Sequence, residues 1–301
     1  MTSHVYLTYP KKLNKKKSLG FIDIYDLDEK FAQAKALGFE NVLIDGLFSK
    51  NPYEIRKDLG ENRDFHAQIE KAESMNIKLF LRLSSDKKDG KVRDYWKKRG
   101  ISDLVFGQSF LDYLKDDFKE NPSEENFKKI ILDKNKSKSP LSLNKSVDSL
   151  SSYILNFKNY YIECIKLLAI IAIIRSPKSF IREGEEFGFN KDFLSREERL
   201  GIFKFYKKLI LIKDKKLDDT NFVKLYKKDK DLLAYLYYKD TKAVVVLINL
   251  RQKDILLDMK GFLDISNARL LADNISQRRI VSTLNLRAYE GLVFECPLKL
   301  K

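Results

Sequence analysis

From His4 to Phe106 short apolar runs alternate with longer segments of helical spacing, and this alternation constrains the fold more than any other feature. His4-Val5-Tyr6-Leu7-Thr8-Tyr9 alternates as a strand does and stops at Pro10. Leu27, Phe31, Ala34 and Leu37 recur at helical spacing ahead of Gly38, a residue suited to closing a helix. Asn41-Val42-Leu43-Ile44-Asp45 reads as a short buried strand. Asp64 is the expected N-cap of a helix with Phe65, Ile69 and Ala72 on one face, and Ile77 to Leu83 forms the following strand. A helix over Val92 to Arg99, closed by Gly100, then leads to a strand over Asp103 to Phe106. Strands alternating with helices imply a parallel α/β sheet.

Beyond that point Phe110 to Lys119 and Glu124 to Leu132 read as helical, and Asp133 to Lys145 reads as a polar loop holding a short strand at Pro140 to Leu143. A long apolar helix starts near Tyr161, and a second one contains Phe205 to Ile210. The pattern changes near Lys213 to Asp219. Alternating runs at Phe222 to Tyr226, Leu232 to Tyr238, Ala243 to Asn249 and Ala288 to Cys296 predict a small antiparallel β domain. Its expected inner face includes Leu233, Tyr235, Val244, Val246, Ile248 and Leu292. The expected division is therefore 1–215 and 216–301.

A net charge of +15 raises the question of nucleic acid or anionic membrane. The lysines are spread from Lys11 to Lys301, and the one dense cluster, Lys11-Lys12 with Lys15-Lys16-Lys17, has no ladder of aromatics interleaved with it. A solvated surface is the expected role, with no nucleic-acid and no membrane partner. The apolar run Ile165 to Ile174 is about half the length that crosses a bilayer. Cys164 and Cys296 lack Cys or His neighbours at metal-ligand spacing, so free thiols, no metal and no cofactor are expected. The start Met1-Thr2-Ser3-His4 carries no apolar core of signal-peptide length, and the expected location is cytoplasmic.

Several pieces in shared order resemble the α-amylase and α-glucosidase family, glycoside hydrolase family 13. They are the opening strand ending in Tyr9-Pro10, the Leu37-Gly38 turn with the strand after it, Pro52-Tyr53-Glu54-Ile55, Trp96 to Ile101, Gly184-Glu185-Glu186-Phe187-Gly188, and Val244 to Asn249 with Leu286 to Val293. The resemblance covers most of the chain and implies an α/β fold: a reduced or irregular TIM-type (β/α) barrel followed by a small antiparallel β-sandwich. Fewer than eight βα units are expected, because little chain lies between Phe110 and Pro140.

The same resemblance says where catalysis should sit. Retaining glycosidases need a nucleophilic carboxylate and an acid/base carboxyl about 5 Å apart, placed at the C-terminal ends of barrel strands. At the position of the family's nucleophilic Asp this chain has Gly107, and Val105 replaces the Arg two residues earlier. The third-strand Asp and its Asn-His become Arg82 with Asp86-Lys87, and the Asn-His-Asp after strand seven becomes Asn144 to Asp148 without the His. No strand-five Gly-Glu pair is evident between Gly107 and Asn144. No catalytic residue is therefore assigned. The candidates for relocated carboxylates are Asp86, Asp148, Glu185 and Glu186, although adjacent glutamates more often mark a polar turn. Tyr53 and Glu54 are the candidate sugar-binding residues, with plain packing as the competing role for Tyr53. His4 and His66 sit away from the expected site.

Three functions are compatible with these residues: a catalytically inactive binding or assembly module, a divergent glycosidase or transglycosidase on α-glucosides, or a product without selected function. The expected partners are an α-glucan or oligosaccharide and either a second copy of the chain or another protein. Fold alone does not choose between these functions.

Overall fold

A computed structural model describes residues 4–10, 20–83, 89–106, 161–175, 180–188, 194–226, 229, 231–259, 263–275 and 278–298. These residues fall into two compact units, the first drawn from 4–106, 180–188 and 194–203, the second from 161–175 and 204–298. The expected elements between Phe110 and Leu143 lie outside the described residues.

In the first unit, β1 (Val5–Thr8), β2 (Asn41–Ile44), β3 (Lys78–Leu83), β4 (Asp103–Phe106) and β5 (Phe180–Arg182) form a parallel sheet of order β4-β3-β2-β1-β5. Helices α1 (Leu27–Leu37), α2 (Asn62–Ser74) and α3 (Gly90–Lys97) join the first four strands. Helix α1 buries Leu27, Phe31, Ala34 and Leu37 and closes on Gly38 at φ 97°, a left-handed conformation that favours glycine. Helix α2 begins earlier than its sequence suggests. Glu61 is the N-cap and Asp64 occupies the third helical position, each side chain answering the other's backbone N–H in a capping box.

Trp96 fixes α3. Its indole N–H donates to the Pro52 carbonyl at 2.8 Å, and its ring meets Phe48 at 5.4 Å and Phe65 at 5.7 Å between centroids. Gly100, after α3, has φ +94°, and a Cβ there would lie 2.8 Å from Cγ2 of Ile69. Gly100→Ala should therefore lower the unfolding free energy by about 1 to 2 kcal/mol from the backbone alone, read as an earlier urea midpoint. An unchanged midpoint would mean that this turn relaxes freely.

In the second unit, α4 (Tyr161–Ile170) continues as a π-helical stretch, Ile171–Arg175. An antiparallel sheet of order β10-β12-β8-β7-β6 is built from β6 (Asn221–Leu225), β7 (Leu232–Lys239), β8 (Lys242–Asn249), β10 (Arg269–Asp273) and β12 (Gly291–Pro297). Strands β9 (Ile255–Asp258) and β11 (Thr283–Leu286) pair separately. The last helix, α5 (Arg196–Lys216), contributes to both units.

The antiparallel sheet buries both faces, which corrects the expected inner face. Leu292 pairs with Leu247 and shares its side with Ala234, Val245 and Phe294, whereas Leu233, Tyr235, Val244, Val246 and Ile248 alternate onto the opposite side. That opposite side is buried too. The strand expected from Ala288 begins at Gly291, because Tyr289 takes φ 52° in a turn in which the Glu290 N–H donates to the Arg287 carbonyl. Gly291 admits α4 closely: a Cβ there would meet Leu167 Cδ1 at 2.8 Å and Ile170 Cδ1 at 3.1 Å. Asn249, fully buried, donates from Nδ2 to the carbonyls of Lys253 and Arg287, each at 2.8 Å, and so ties the β8 exit to the chain before β12.

Among the described residues no helix is long and apolar enough to cross a membrane. Both cysteines are free thiols, with Cys296 buried and Cys164 half-buried. Burial pushes their thiols up, to about 12 for Cys164 and about 11 for Cys296, so both are protonated and poorly nucleophilic at neutral pH.

Candidate functional site

Parallel strands place their exits along one edge of the sheet, and in α/β proteins ligands are taken up there. Alternation along each strand sorts the exit residues onto two faces. Leu7, Tyr9 and Leu43 pack together with Val5, Phe80 and Val105 on one face. Arg182 pairs with Leu7, Arg82 with Val105, and Asp45 follows Leu43 by two residues, so three charged side chains arrive at the exit end of that apolar face. All three are buried. Arg82 Nε stands 3.9 Å from Asp45 Oδ2, and Arg182 Nε stands 4.0 Å from Glu185 Oε1. The Asp45 N–H donates to the Thr8 carbonyl at 3.0 Å, which fixes the β2 exit against β1.

Tyr6 and Thr8 point to the other face, where α1 lies. The Thr8 hydroxyl donates to Glu183 at 2.6 Å, and Lys30 Nζ of α1 ion-pairs with the same carboxylate at 3.0 Å. The Tyr6 hydroxyl lies 2.8 Å from Glu186 Oε1, and the Gly184 N–H donates to Glu186 Oε2 at 2.9 Å. Burial raises the Glu186 carboxyl to about 7, against the smaller downward pull of its hydrogen bonds. Burial, with Glu186 beside it, lifts the Tyr6 phenol well above its ordinary range.

The sequence candidates are dispersed. Glu185 and Glu186 belong to a short 3-10 turn, Glu185–Phe187, between Gly184 and Gly188, yet both are fully buried, so the expected polar turn is a packed one. They serve different partners: Glu185 faces Arg182 and Glu186 faces Tyr6. Tyr53 is half-buried with its ring edge-on to Tyr95 at 5.0 Å, and Glu54 is exposed. Asp86, Asp148 and Gly107 lie outside the described residues. Among the described residues no group of three or more His, Cys, Asp or Glu side chains could hold a metal ion.

Asp45, Arg182, Glu183, Tyr6, Thr8 and Lys30 were not singled out by sequence. A usable signal existed for Asp45, a carboxylate directly at the exit of an apolar strand. For the others the signal lies in pairings across the sheet.

No protein-family model and no curated protein matches the chain. Solved structures do. Trehalose-6-phosphate hydrolase from Bacillus licheniformis superposes with a TM-score of 0.68 at 12% identity, covering 98% of this chain and 99% of that one. Trehalulose synthase from Pseudomonas mesoacidophila gives 0.64 at 12% identity, covering 99% of each chain. Isomaltulose synthase from Erwinia rhapontici, in complex with D-glucose, gives 0.64 at 13% identity, covering 98% of each. The chain has the fold of these enzymes. At such identity the likeness concerns the fold alone, and the residues at the strand exits are this chain's own.

Proposed function

We propose that the chain is a degenerate and shortened member of glycoside hydrolase family 13, a carbohydrate-related protein whose barrel serves as a catalytically inactive binding or assembly module. The single observation that carries this reading is the apolar packing at the β4 exit, where an arginine would be needed to orient a nucleophilic carboxylate. Asp45 and Glu185 lie buried near Arg82 and Arg182, at 3.9 and 4.0 Å, as charges held within the fold. Val105, at the position of the family's catalytic Arg, packs into the apolar cluster of Leu7 and Leu43. The enzymes of like fold include one seen with D-glucose, which supports an α-glucan or oligosaccharide as the ligand class.

The reading extends to a barrel over 1–215, a β domain over 216–301, a cytoplasmic location, Tyr53 and Glu54 as sugar contacts, and a second copy or another protein as partner. The relocated-carboxylate reading draws on one observation, the Glu186 carboxyl held near 7 as a general acid would be. Both its oxygens are occupied within the fold, which favours a structural role.

A glycan array joined to hydrolysis assays on maltose, isomaltose and maltotriose separates the readings. Retention of an α-glucan without turnover is the expected result. Turnover abolished by Asp86→Ala or Asp148→Ala would replace the module by a relocated active site.

A further inference from the structure

The Tyr6 hydroxyl has one proton and two acceptors. Glu186 Oε1 lies 2.8 Å away and Gln33 Oε1 of α1 lies 3.3 Å away. Gln33 cannot resolve the shortage by turning its amide, because its Nε2 already donates to Glu29 Oε1 at 2.9 Å. Nor, among the described residues, does a cation pair with Glu186: the ammonium of Lys30 is paired with Glu183 at 3.0 Å, and Glu183 also takes the Thr8 hydroxyl and the Gly20 N–H. One additional proton completes the set. With Glu186 protonated, its Oε1–H donates to Tyr6, Tyr6 donates to Gln33, and the Gly184 N–H continues to donate to Oε2.

We propose that Glu186 is a proton-operated latch: its neutral form ties β1 to α1 through Tyr6 and Gln33, and its ionisation releases that tie. On deprotonation the proton leaves for solvent, the Tyr6 O–H turns to the carboxylate, and the Gln33 carbonyl loses its donor. The groups facing the latch are Tyr6 and, beyond it, Tyr9 from β1, Lys30 and Glu29 from α1, and Glu183 from the β5 exit. Of these, Glu183 opposes ionisation of Glu186 by like charge, and burial opposes it most.

The direction follows from linkage. A carboxyl near 7 in the fold, against an ordinary 4.5, contributes stability that is fully present below 4.5 and is lost as pH rises through 7. Between pH 5 and pH 8 the folding equilibrium constant of the wild type should fall roughly 50- to 100-fold relative to Glu186→Gln, whose amide donates to Tyr6 at every pH. The two measurements are urea unfolding of both proteins at pH 5 and pH 8, and the Gln33 side-chain NH2 resonances across the same range. The resonances should shift with a midpoint near pH 7 in the wild type and show no such step in Glu186→Gln. Tyr6→Phe, which removes the relay while leaving a buried carboxyl, is a second variant and should abolish the Gln33 step. A wild-type-to-Glu186→Gln ratio that is flat with pH, or Gln33 resonances that do not respond, would overturn the proposal.

Discussion

Purified wild-type protein incubated with an aryl α-glucoside should release no aglycone above the uncatalysed background. A retaining glycosidase forms a covalent glycosyl intermediate on a carboxylate, and losing that route removes several orders of magnitude of rate. Gly107 has no side chain to attack with, and Val105 offers no bidentate hydrogen bond to orient a carboxylate placed at Gly107. Gly107→Asp alone should leave the rate at background for that reason. Release of aglycone that scales with protein concentration and survives repurification would show that another carboxylate has taken over the chemistry.

Arg82→Ala should destabilise the fold by about 1 to 3 kcal/mol, since it removes a buried guanidinium that stands 3.9 Å from the buried Asp45 carboxyl. The loss would be read as a lower urea midpoint with an unchanged slope. Removing both charges, as Asp45→Asn with Arg82→Met, should recover more than half of it, because the desolvation cost disappears with the pair. If Arg82→Ala unfolds within about 1 kcal/mol of the wild type, the pair contributes no more than an ordinary surface bridge.

The parts of this fold that sequence reveals are those decided locally. Strands β1 to β4 and helix α1 are bounded by Pro10, Gly38, Gly100 and short polar stretches, and their spacing places them within a few residues. Strands β9, β10 and β11 escaped because each is short, and Leu270-Leu271 in β10 breaks the alternation that marks a strand. Asp64 is a common capping type, but the reciprocal bond that makes Glu61 the cap is a geometric fact. The side taken by Leu292 depends on its register with Leu247, which the strand does not encode alone. Gly184-Glu185-Glu186-Phe187-Gly188 reads as polar because its partners, Tyr6 and Arg182, are supplied by the sheet, one of them 180 residues away. The enzyme-like fold was legible in the order of weak segments, whereas the buried carboxylates near Arg82 and Arg182 were not.

The pairing of β1 with β5 has a consequence for the newborn chain. Strands β1 to β4 can associate once Phe106 has left the ribosome, but the free side of β1 has no strand beside it until Phe180 to Arg182 emerge. Thr8 waits for Glu183 over 175 residues, about 9 to 35 s at ordinary elongation rates. Throughout that interval a strand carrying Tyr6 and Thr8 presents unpaired amides to every other nascent or misfolded chain nearby. Hold-type chaperones that cover exposed strand edges would act on this window, and slowing translation ahead of Phe180 would lengthen it.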